Sequence, residues 1–307
     1  MARFDELAAA VQRLASAAGS PNRRVALAIP DAVLMIRPLI MPAGLSQAEQ
    51  AAKAAAEFSA HSNQALADMV LDYGVHSREE TADSGGNLKA WVAACPKDTV
   101  QDRVGLMQAA GLLPVVVEGE AQACARAAQR LVDARPALPA GGMVAVLDMG
   151  AAMARLQLIH QGEIVHQAPL DWGGARLTGR ISEIYGLAAT EAELQKRRGV
   201  LPAACAEDVF KPFIAELVES LASELERSAS LLANGHIGLV MLAGGAGVLA
   251  GLPQAIRSRA GLECFLADPF DGFEAGAATK RVASARSERA GLMTACGLAL
   301  RRFAAPC

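Results

Sequence analysis

The sequence predicts an α/β protein built in two halves, and three features carry that prediction. Short apolar strands alternate with amphipathic helical segments along the whole chain. A stretch rich in Pro and Gly, Arg135-Pro136-Ala137-Leu138-Pro139-Ala140-Gly141-Gly142, interrupts that alternation and marks the best candidate boundary. Beyond it, two apolar strands each run into a glycine-bearing turn, at Asp148-Met149-Gly150 and at Ala243-Gly244-Gly245-Ala246-Gly247. A repeat period that would indicate a solenoid is not visible.

In the first half, residues 4–18 place Phe4, Leu7, Ala8, Val11 and Leu14 on one helical stripe, and Gly19-Ser20-Pro21-Asn22 ends it. Residues 24–29 form a short apolar strand that stops at Pro30. Residues 33–40 form a second extended segment, closed by Met41-Pro42. Ser46 and Glu49 have the spacing of a capping box, which starts a helix over residues 47–60. Residues 66–76 read as a strand, 83–87 as a hairpin-like loop, and 88–95 as a buried strand. A helix over 97–110 ends at Gly111, a short strand covers 115–117, and a helix covers 120–134.

The second half restarts with a continuous apolar strand at 143–147. Residues 155–160 and 163–170 flank Gln161-Gly162, a two-residue hairpin turn. Gly173-Gly174 opens a helix that runs to Tyr185. Thr190 and Glu193 have capping-box spacing for a short helix over 190–197. Residues 212–232 form a long amphipathic helix with Phe213, Leu217, Leu221, Leu225 and Leu232 in its stripe. Strands at 237–242 and 262–266 enclose a helix at 254–260, and residues 290–303 read as a closing helix.

Composition excludes several classes. The 307 residues are 52% hydrophobic and 20% charged, so the chain is not disordered. Lys+Arg 29 against Asp+Glu 32 gives a net charge of -3, which argues against nucleic acid as a partner. Aromatics at 4% leave no base-stacking platform. The six Cys are scattered without a CxxC pair, so they read as reduced core thiols in a reducing compartment. The N-terminus lacks the order of a signal peptide, and no uncharged apolar run is long enough to span a bilayer. The expected location is therefore the cytoplasm, with the membrane reached only through a partner.

The glycine-bearing turns are the candidate chemistry. At the first, Asp148 can hold a metal-bound water while Gly150 lets backbone N–H groups approach a phosphate. The alternative is a hairpin turn in which Asp148 caps backbone amides. At the second, strand, glycines and helix give the layout for a nucleotide over a helix N-terminus. Gly245-Ala246-Gly247-Val248-Leu249-Ala250 fits G-x-G-x-x-A, and Asp268 follows another strand. Too little chain follows Asp268 for the rest of a doubly wound sheet, so a Rossmann oxidoreductase is rejected. GxxxxGK[ST], GxSxG and HExxH are absent. His160 and His166 flank the hairpin turn and read as surface residues rather than ligands.

Taken in order, the motifs resemble the PilM family of type IV pilus assembly proteins, actin-like relatives of the cell-division protein FtsA. The stretches that carry the resemblance are Val25-Ala26-Leu27-Ala28-Ile29-Pro30, Ile40-Met41-Pro42-Ala43-Gly44-Leu45-Ser46, Ala93-Ala94-Cys95-Pro96-Lys97, Ala109-Ala110-Gly111-Leu112 and Val117-Glu118-Gly119-Glu120-Ala121. The second half adds Leu147-Asp148-Met149-Gly150-Ala151, Gly173-Gly174-Ala175-Arg176-Leu177-Thr178, Leu242-Ala243-Gly244-Gly245-Ala246, Asp268-Pro269-Phe270 and Ala295-Cys296-Gly297-Leu298-Ala299-Leu300-Arg301.

The resemblance implies an actin-like α/β fold of two ribonuclease-H-like halves with a small inserted subdomain in the first. The halves would be residues 1–136, with the insertion at about 31–111, and residues 137–289. A helix over 290–307 would return to the first half. The family's second phosphate loop maps to Asp148, Gly150 and Ala151, and its adenosine loop to Gly244, Gly245 and Ala246. Glu193 and Lys196 match the acid and lysine that the family places near adenine and ribose. The implied cofactor is ATP or ADP with Mg.

Three departures from the family pattern bear on chemistry. Nothing before Arg24 matches the strand and Asp-Xaa-Gly-Ser/Thr loop of the first phosphate site, and residues 4–18 look like the helix that follows it. Ala151-Ala152-Met153-Ala154 stands where relatives carry Ser or Thr, so no hydroxyl remains to hold a phosphate. Ala60-His61-Ser62-Asn63-Gln64-Ala65 replaces an Ile-Pro-Tyr-Pro-like stretch. The expectation is a scaffold with a degenerate nucleotide cleft and little or no turnover, not an enzyme. Its partner would be the cytoplasmic tail of a PilN-like inner-membrane protein. A homo-oligomer or ring is compatible with that role, as is a site peripheral to the inner membrane. The competing reading is an active ATP-binding, polymerising protein of the FtsA type.

Overall fold

The stripe of residues 4–18 does form a helix, α1 (Ala2–Ala18), although Phe4, Leu7 and Leu14 stay exposed and only Ala8 of the stripe is buried. The computed structural model describes residues 2–78, 87–135, 142–232, 236–273 and 286–301. The chain forms two compact units, Met1–Ala121 with Arg301–Cys307, and Gln122–Leu300.

The first unit continues with β1 (Arg24–Ile29), β2 (Met35–Pro42), α2 (Gln47–His61), β3 (Met69–Arg78), β4 (Asn87–Pro96), α3 (Lys97–Ala109) and β5 (Leu113–Gly119). Strand β2 starts later than the sequence suggests because Asp31–Val33 makes a 3-10 turn after Pro30. Likewise Leu66–Asp68 is a 3-10 turn ahead of β3. The 83–87 loop lies outside the described residues except for Asn87, which begins β4. Among the described residues, β1 pairs only with β5, in parallel. The other three strands form an antiparallel sheet in the order β2-β4-β3. The capping box at α2 is present in full, with the Ser46 N–H donating to Glu49 Oε2 at 2.8 Å. That start sets the phase that turns Ala54 and Phe58 onto the sheet. They meet Leu39, Met41, Ala90 and Val92 on one side and Met69 and Ala94 on the other.

The second unit holds most of α4 (Glu120–Asp133), then β6 (Met143–Met149), β7 (Ala154–His160), β8 (Glu163–Leu170), α5 (Gly174–Tyr185), α6 (Ala189–Arg198) and α7 (Lys211–Leu231). It ends with β9 (Ile237–Ala243), α8 (Leu252–Ala260), β10 (Glu263–Leu266), α9 (Arg286–Ala290) and α10 (Met293–Leu300). The sheet order is β10-β9-β6-β7-β8. Strands β6, β7 and β8 form an antiparallel meander, and β9 and β10 run parallel to β6. This is the order expected of a ribonuclease-H-like half. The hairpin turn has Gln161 and Gly162 both at positive φ, 52° and 84°, the conformation that a type I′ turn needs.

Strand β6 is apolar throughout because both of its faces are covered. Ala145, Leu147 and Met149 point to one core, with Leu177 and Ile181 of α5, Phe213, Leu217 and Leu221 of α7, and Leu252 and Ile256 of α8. Val144 and Val146 point to the other, with Cys124, Ala127, Ala128 and Leu131 of α4 and Met293 of α10. Burial of each large side chain contributes about 1.5–3 kcal/mol, so these two layers fix the unit. Trp172 and Phe213 meet edge-to-face in the first layer, with ring centroids 5.2 Å apart.

The closing helix expected over 290–303 is α10, which starts only at Met293, after the separate helix α9 has ended at Ala290. Leu292 donates its N–H to Arg289 and Gly291 to Glu288, which makes a turn between α9 and α10. The carbonyl of Ala290 accepts the N–H of Gly244 at 2.9 Å, and this tertiary bond accompanies the break. His166 is not a simple surface residue, because its Nε2 lies 3.1 Å from Oε1 of the buried Glu224 on α7. Cys95, Cys124, Cys205 and Cys264 are free and buried, and Cys296 is half-buried, as isolated core thiols should be. Cys307 lies outside the described residues.

Candidate functional site

Strands β6 and β9 are parallel neighbours, with Asp148 in register with Ala243. Both glycine-bearing turns therefore leave the same edge of the sheet, the carboxyl end where α/β proteins build their sites. After β9, Gly244 sits at φ +77°. A Cβ there would fall 2.4 Å from the Met149 carbonyl oxygen and 2.6 Å from Asp148 Oδ1, so only glycine fits. The Met149 carbonyl also accepts the Ala246 N–H at 3.1 Å. Asp148, Gly244 and Ala246 are thus brought together as the motif predicts. Gly245 is exposed, with no heavy atom within 4 Å of its Cβ position.

The amide of Gly244 is a different matter. Sequence reasoning expects backbone N–H groups at Gly244 and Gly245 to face a ligand. The Gly244 N–H is instead engaged by Ala290, and that of Gly247 by the Gly244 carbonyl. The helix after this turn starts only at Leu252, well past the glycines, so the G-x-G-x-x-A match has no Rossmann geometry behind it.

The turn after β6 is pinned to the start of α5. Gly150 donates its N–H to the Met153 carbonyl at 3.0 Å, which closes the loop on itself. The carbonyls of Gly150 and Ala151 accept the N–H groups of Gly174 and Ala175, at 3.0 and 2.8 Å. A Cβ on Gly173 would lie against the Ala151 carbonyl oxygen, which explains the first glycine of the pair. The first two orphan amides at the α5 N-terminus are therefore satisfied by the loop, and that of Arg176 by the Gly173 carbonyl. Ala151, Ala152 and Met153 face outward without a hydroxyl.

Glu193 and Lys196 lie on α6 and close against the first turn of α5. Lys196 Nζ donates to the Gly174 carbonyl at 2.9 Å, to Thr178 Oγ1 at 2.7 Å and to Glu193 Oε2 at 2.6 Å. Thr178 Oγ1 is also 2.5 Å from Glu193 Oε2. Arg197 Nε reaches Glu193 Oε1 at 2.7 Å. Burial alone would raise the Glu193 carboxyl, but the hydrogen bonds from Lys196, Thr178 and Arg197 outweigh it and hold the group at about 2. The capping box expected from Thr190 and Glu193 does not form. Helix α6 starts at Ala189, with Ala188 as an N-cap that makes no side-chain bond, so Thr190 lies inside the helix, and the Glu193 carboxylate is held by Thr178, Lys196 and Arg197 instead.

Gly174 joins the parts. Its Cβ position lies 3.5 Å from Lys196 Nζ, 3.7 Å from Ala246 Cβ and 3.7 Å from the Gly150 carbonyl oxygen. The two loops and the α5–α6 cluster are thus one constellation, all within the second unit. Thr178 is its unforeseen member. The available signal was a lone hydroxyl on the buried stripe that also carries Gly174, Leu177 and Ile181. The residues gathered here leave open space over Gly245 but fill the space around the Gly174 Cβ position. They do not fit a protein-only cation site, since among the described residues no three His, Cys, Asp or Glu side chains converge. A separate recess of about 450 Å³ lies in the first unit beside the 60–65 stretch, lined by Gln64, Asp68, Lys97 and Gln101 among others.

The family model for type IV pilus assembly protein PilM matches residues 1–303. This chain belongs to the PilM family. Its fold is that of the solved PilM-PilN type IV pilus biogenesis complex, with a TM-score of 0.80 at 22% identity over 99% of this chain and 87% of that one. Two partial likenesses are weaker. Ethanolamine utilization protein EutJ from Carboxydothermus hydrogenoformans gives a TM-score of 0.46 at 18% identity, covering 66% of this chain and 60% of that one. MreB 5 of Spiroplasma citri bound to AMPPNP gives 0.46 at 13% identity, covering 67% and 65%. As a PilM-family protein with an actin-like α/β fold, the chain belongs to type IV pilus assembly. Among the described residues, no helix is long and apolar enough to cross a membrane.

Proposed function

We propose that this PilM-family chain is a cytoplasmic scaffold of a type IV pilus or related secretion-like system. It binds the cytoplasmic tail of a PilN-like inner-membrane protein and so lies at the membrane through that partner. The observation that carries this reading is the family match over residues 1–303, together with the fold shared with a PilM-PilN complex. The two actin-like halves would be residues 1–136 and 137–289, with the inserted sheet of β2, β3 and β4 in the first. The constellation around Gly174 is read as the adenosine side of a site for ATP or ADP, degenerate toward turnover. Hydrolysis needs positioned water, metal and phosphate contacts together. The loop Ala151-Ala152-Met153-Ala154 offers no side-chain donor for the last of these.

The test is calorimetric titration of the whole chain with a synthetic peptide of the PilN-like tail, against a scrambled peptide. Saturable binding of the native peptide alone is expected, and equal or absent binding of both refutes the scaffold. A parallel titration with Mg·ATP addresses the nucleotide site. Filaments that pellet only with ATP would move the reading to the FtsA type.

A further inference from the structure

We propose that the outer face of the β2-β4-β3 sheet is a self-association surface, on which a second copy of this chain packs face to face about a two-fold axis. The proposal concerns the first unit alone and does not depend on whether the Gly174 constellation takes a nucleotide.

Alternation along the strands gives the sheet two faces. One carries Leu39, Met41, Ala90, Val92, Met69 and Ala94, and α2 covers it. The other carries the residues between them. Pairing puts Ile36 beside Ala93, Pro38 beside Trp91 and Ile40 beside Lys89. On the other side of β4, Asp72 lies beside Ala93 and Gly74 beside Trp91. Ile36 is 39% exposed and Ile40 64%, and Pro38, Asp72 and Lys89 are exposed as well. The Trp91 ring lies over Gly74, whose Cβ position would be 2.5 Å from its Cζ2, so the glycine lets the ring lie flat on the sheet. Aromatic cover of a strand glycine is useful in itself. It gives no reason for the two exposed isoleucines on the neighbouring strand.

The form of the contact follows from the strands. Strand β2 is an edge of this sheet, and it carries Pro38 and Pro42, which have no N–H to offer an added strand. A second copy therefore comes over the face rather than along that edge. Two in-plane axes are available. An axis along the strands, centred on β4, stacks Lys89 on Lys89 of the second copy. An axis across the strands, centred at Trp91, stacks Trp91 on Trp91 and Ile36 on Ile40. It sets Lys89 over Ala93 of the second copy, whose cross-strand neighbour is Asp72. At the roughly 10 Å spacing of packed sheets, a lysine reaches a carboxylate one strand over. Only the second axis separates the like charges and pairs the opposite ones, twice over by symmetry. Three strands and seven residues span about 14 Å by 24 Å, well below the roughly 800 Å² each partner gives a standard interface. The pairing is therefore weak, with a dissociation constant on the order of tens of micromolar.

Sedimentation velocity of the whole chain, over concentrations on either side of that value, is the test. The unsubstituted chain should pass from monomer to dimer. Its tryptophan emission should shift to the blue, a change that reports Trp91 because Trp172 is already buried. Asp72→Lys and Lys89→Asp each set like charges across the axis and should each weaken pairing about tenfold, and the double variant should restore it. Ile40→Glu should abolish pairing. Leu14→Glu, at a 71% exposed position on α1 of the same unit, should leave it unchanged. If Ile40→Glu does not fold, the charge-reversal set decides alone. A chain that stays monomeric throughout overturns the proposal, and so does a double variant no better than the single ones. Pairing that Leu14→Glu removes and Ile40→Glu does not would place the interface elsewhere. An Ile40→Glu protein that still pairs but no longer binds the PilN-like tail peptide would make the face a partner site and equally refute self-association.

Discussion

A Cβ placed on Gly297 would lie 1.7 Å from the carbonyl oxygen of Ala123, so α10 crosses α4 backbone against backbone. No rotamer can relieve such a clash, because the neighbour is main chain. Gly297→Ala should therefore cost at least the 1–3 kcal/mol typical of overpacking, about what other crowded cores show. Gly105, in the middle of α3, has open space around its Cβ position. Gly105→Ala should stabilise by about 0.5–1 kcal/mol through helix propensity. Urea midpoints of the two variants, moving in opposite directions, check the pair.

The α5–α6 cluster should give the protein an acid-sensitive limb. Glu193 sits at about 2 in the folded state against an ordinary value of 4.5, and Glu224 is lowered as well. For Glu224, burial pushes up, and hydrogen bonds from Arg227, His166 and Ser228 more than offset it. Groups lowered on folding stabilise above their unfolded value, and that contribution disappears as pH falls through the folded one. Stability should therefore decline from about pH 4.5 toward about 2. Glu193→Gln should flatten part of that decline, measured by urea midpoints across the range. An unchanged slope would show that Glu193 is not so held.

The two glycines of the β9 turn should behave differently. Gly244→Ala forces a side chain into positive φ and onto Asp148 and Met149, and should destabilise by more than 1 kcal/mol, roughly the cost of strained backbone plus overpacking. Gly245→Ala meets nothing and should leave the unfolding midpoint unchanged. Mg·ADP titration of the Gly245 variant then reports on the site rather than on the fold.

Thiol chemistry offers a fourth check. Burial pushes the Cys264 thiol up to about 12, so almost no thiolate exists at neutral pH. A thiol reagent should leave Cys264 unmodified in the native protein and label it at the rate of unfolding, read by peptide mass mapping.

Strands were legible wherever a run of apolar residues had both faces to bury, as along Met143–Met149. The Gln161-Gly162 turn and the Ser46–Glu49 capping box were legible because their chemistry is local. The Thr190–Glu193 box was not, since α6 starts ahead of Thr190, at Ala189, and Glu193 bonds Thr178, fifteen residues away on another helix. The break after Ala290 was hidden for the same reason, as its carbonyl bonds a glycine from a distant turn. Spacing placed Asp148, Gly150, Gly244 and Ala246 at one sheet edge, but could not say which amides were already engaged.

The loops of the constellation meet through main-chain atoms: Gly150 and Ala151 on α5, Met149 on Ala246, Ala290 on Gly244. Side chains at Ala151, Ala152 and Met153 take no part in that joinery. Evolution can therefore remove or restore hydroxyls along this loop without unfolding it. Loss of chemistry and loss of structure become separable events, and a lineage can drift between a working nucleotide switch and a plain scaffold on one unchanged frame.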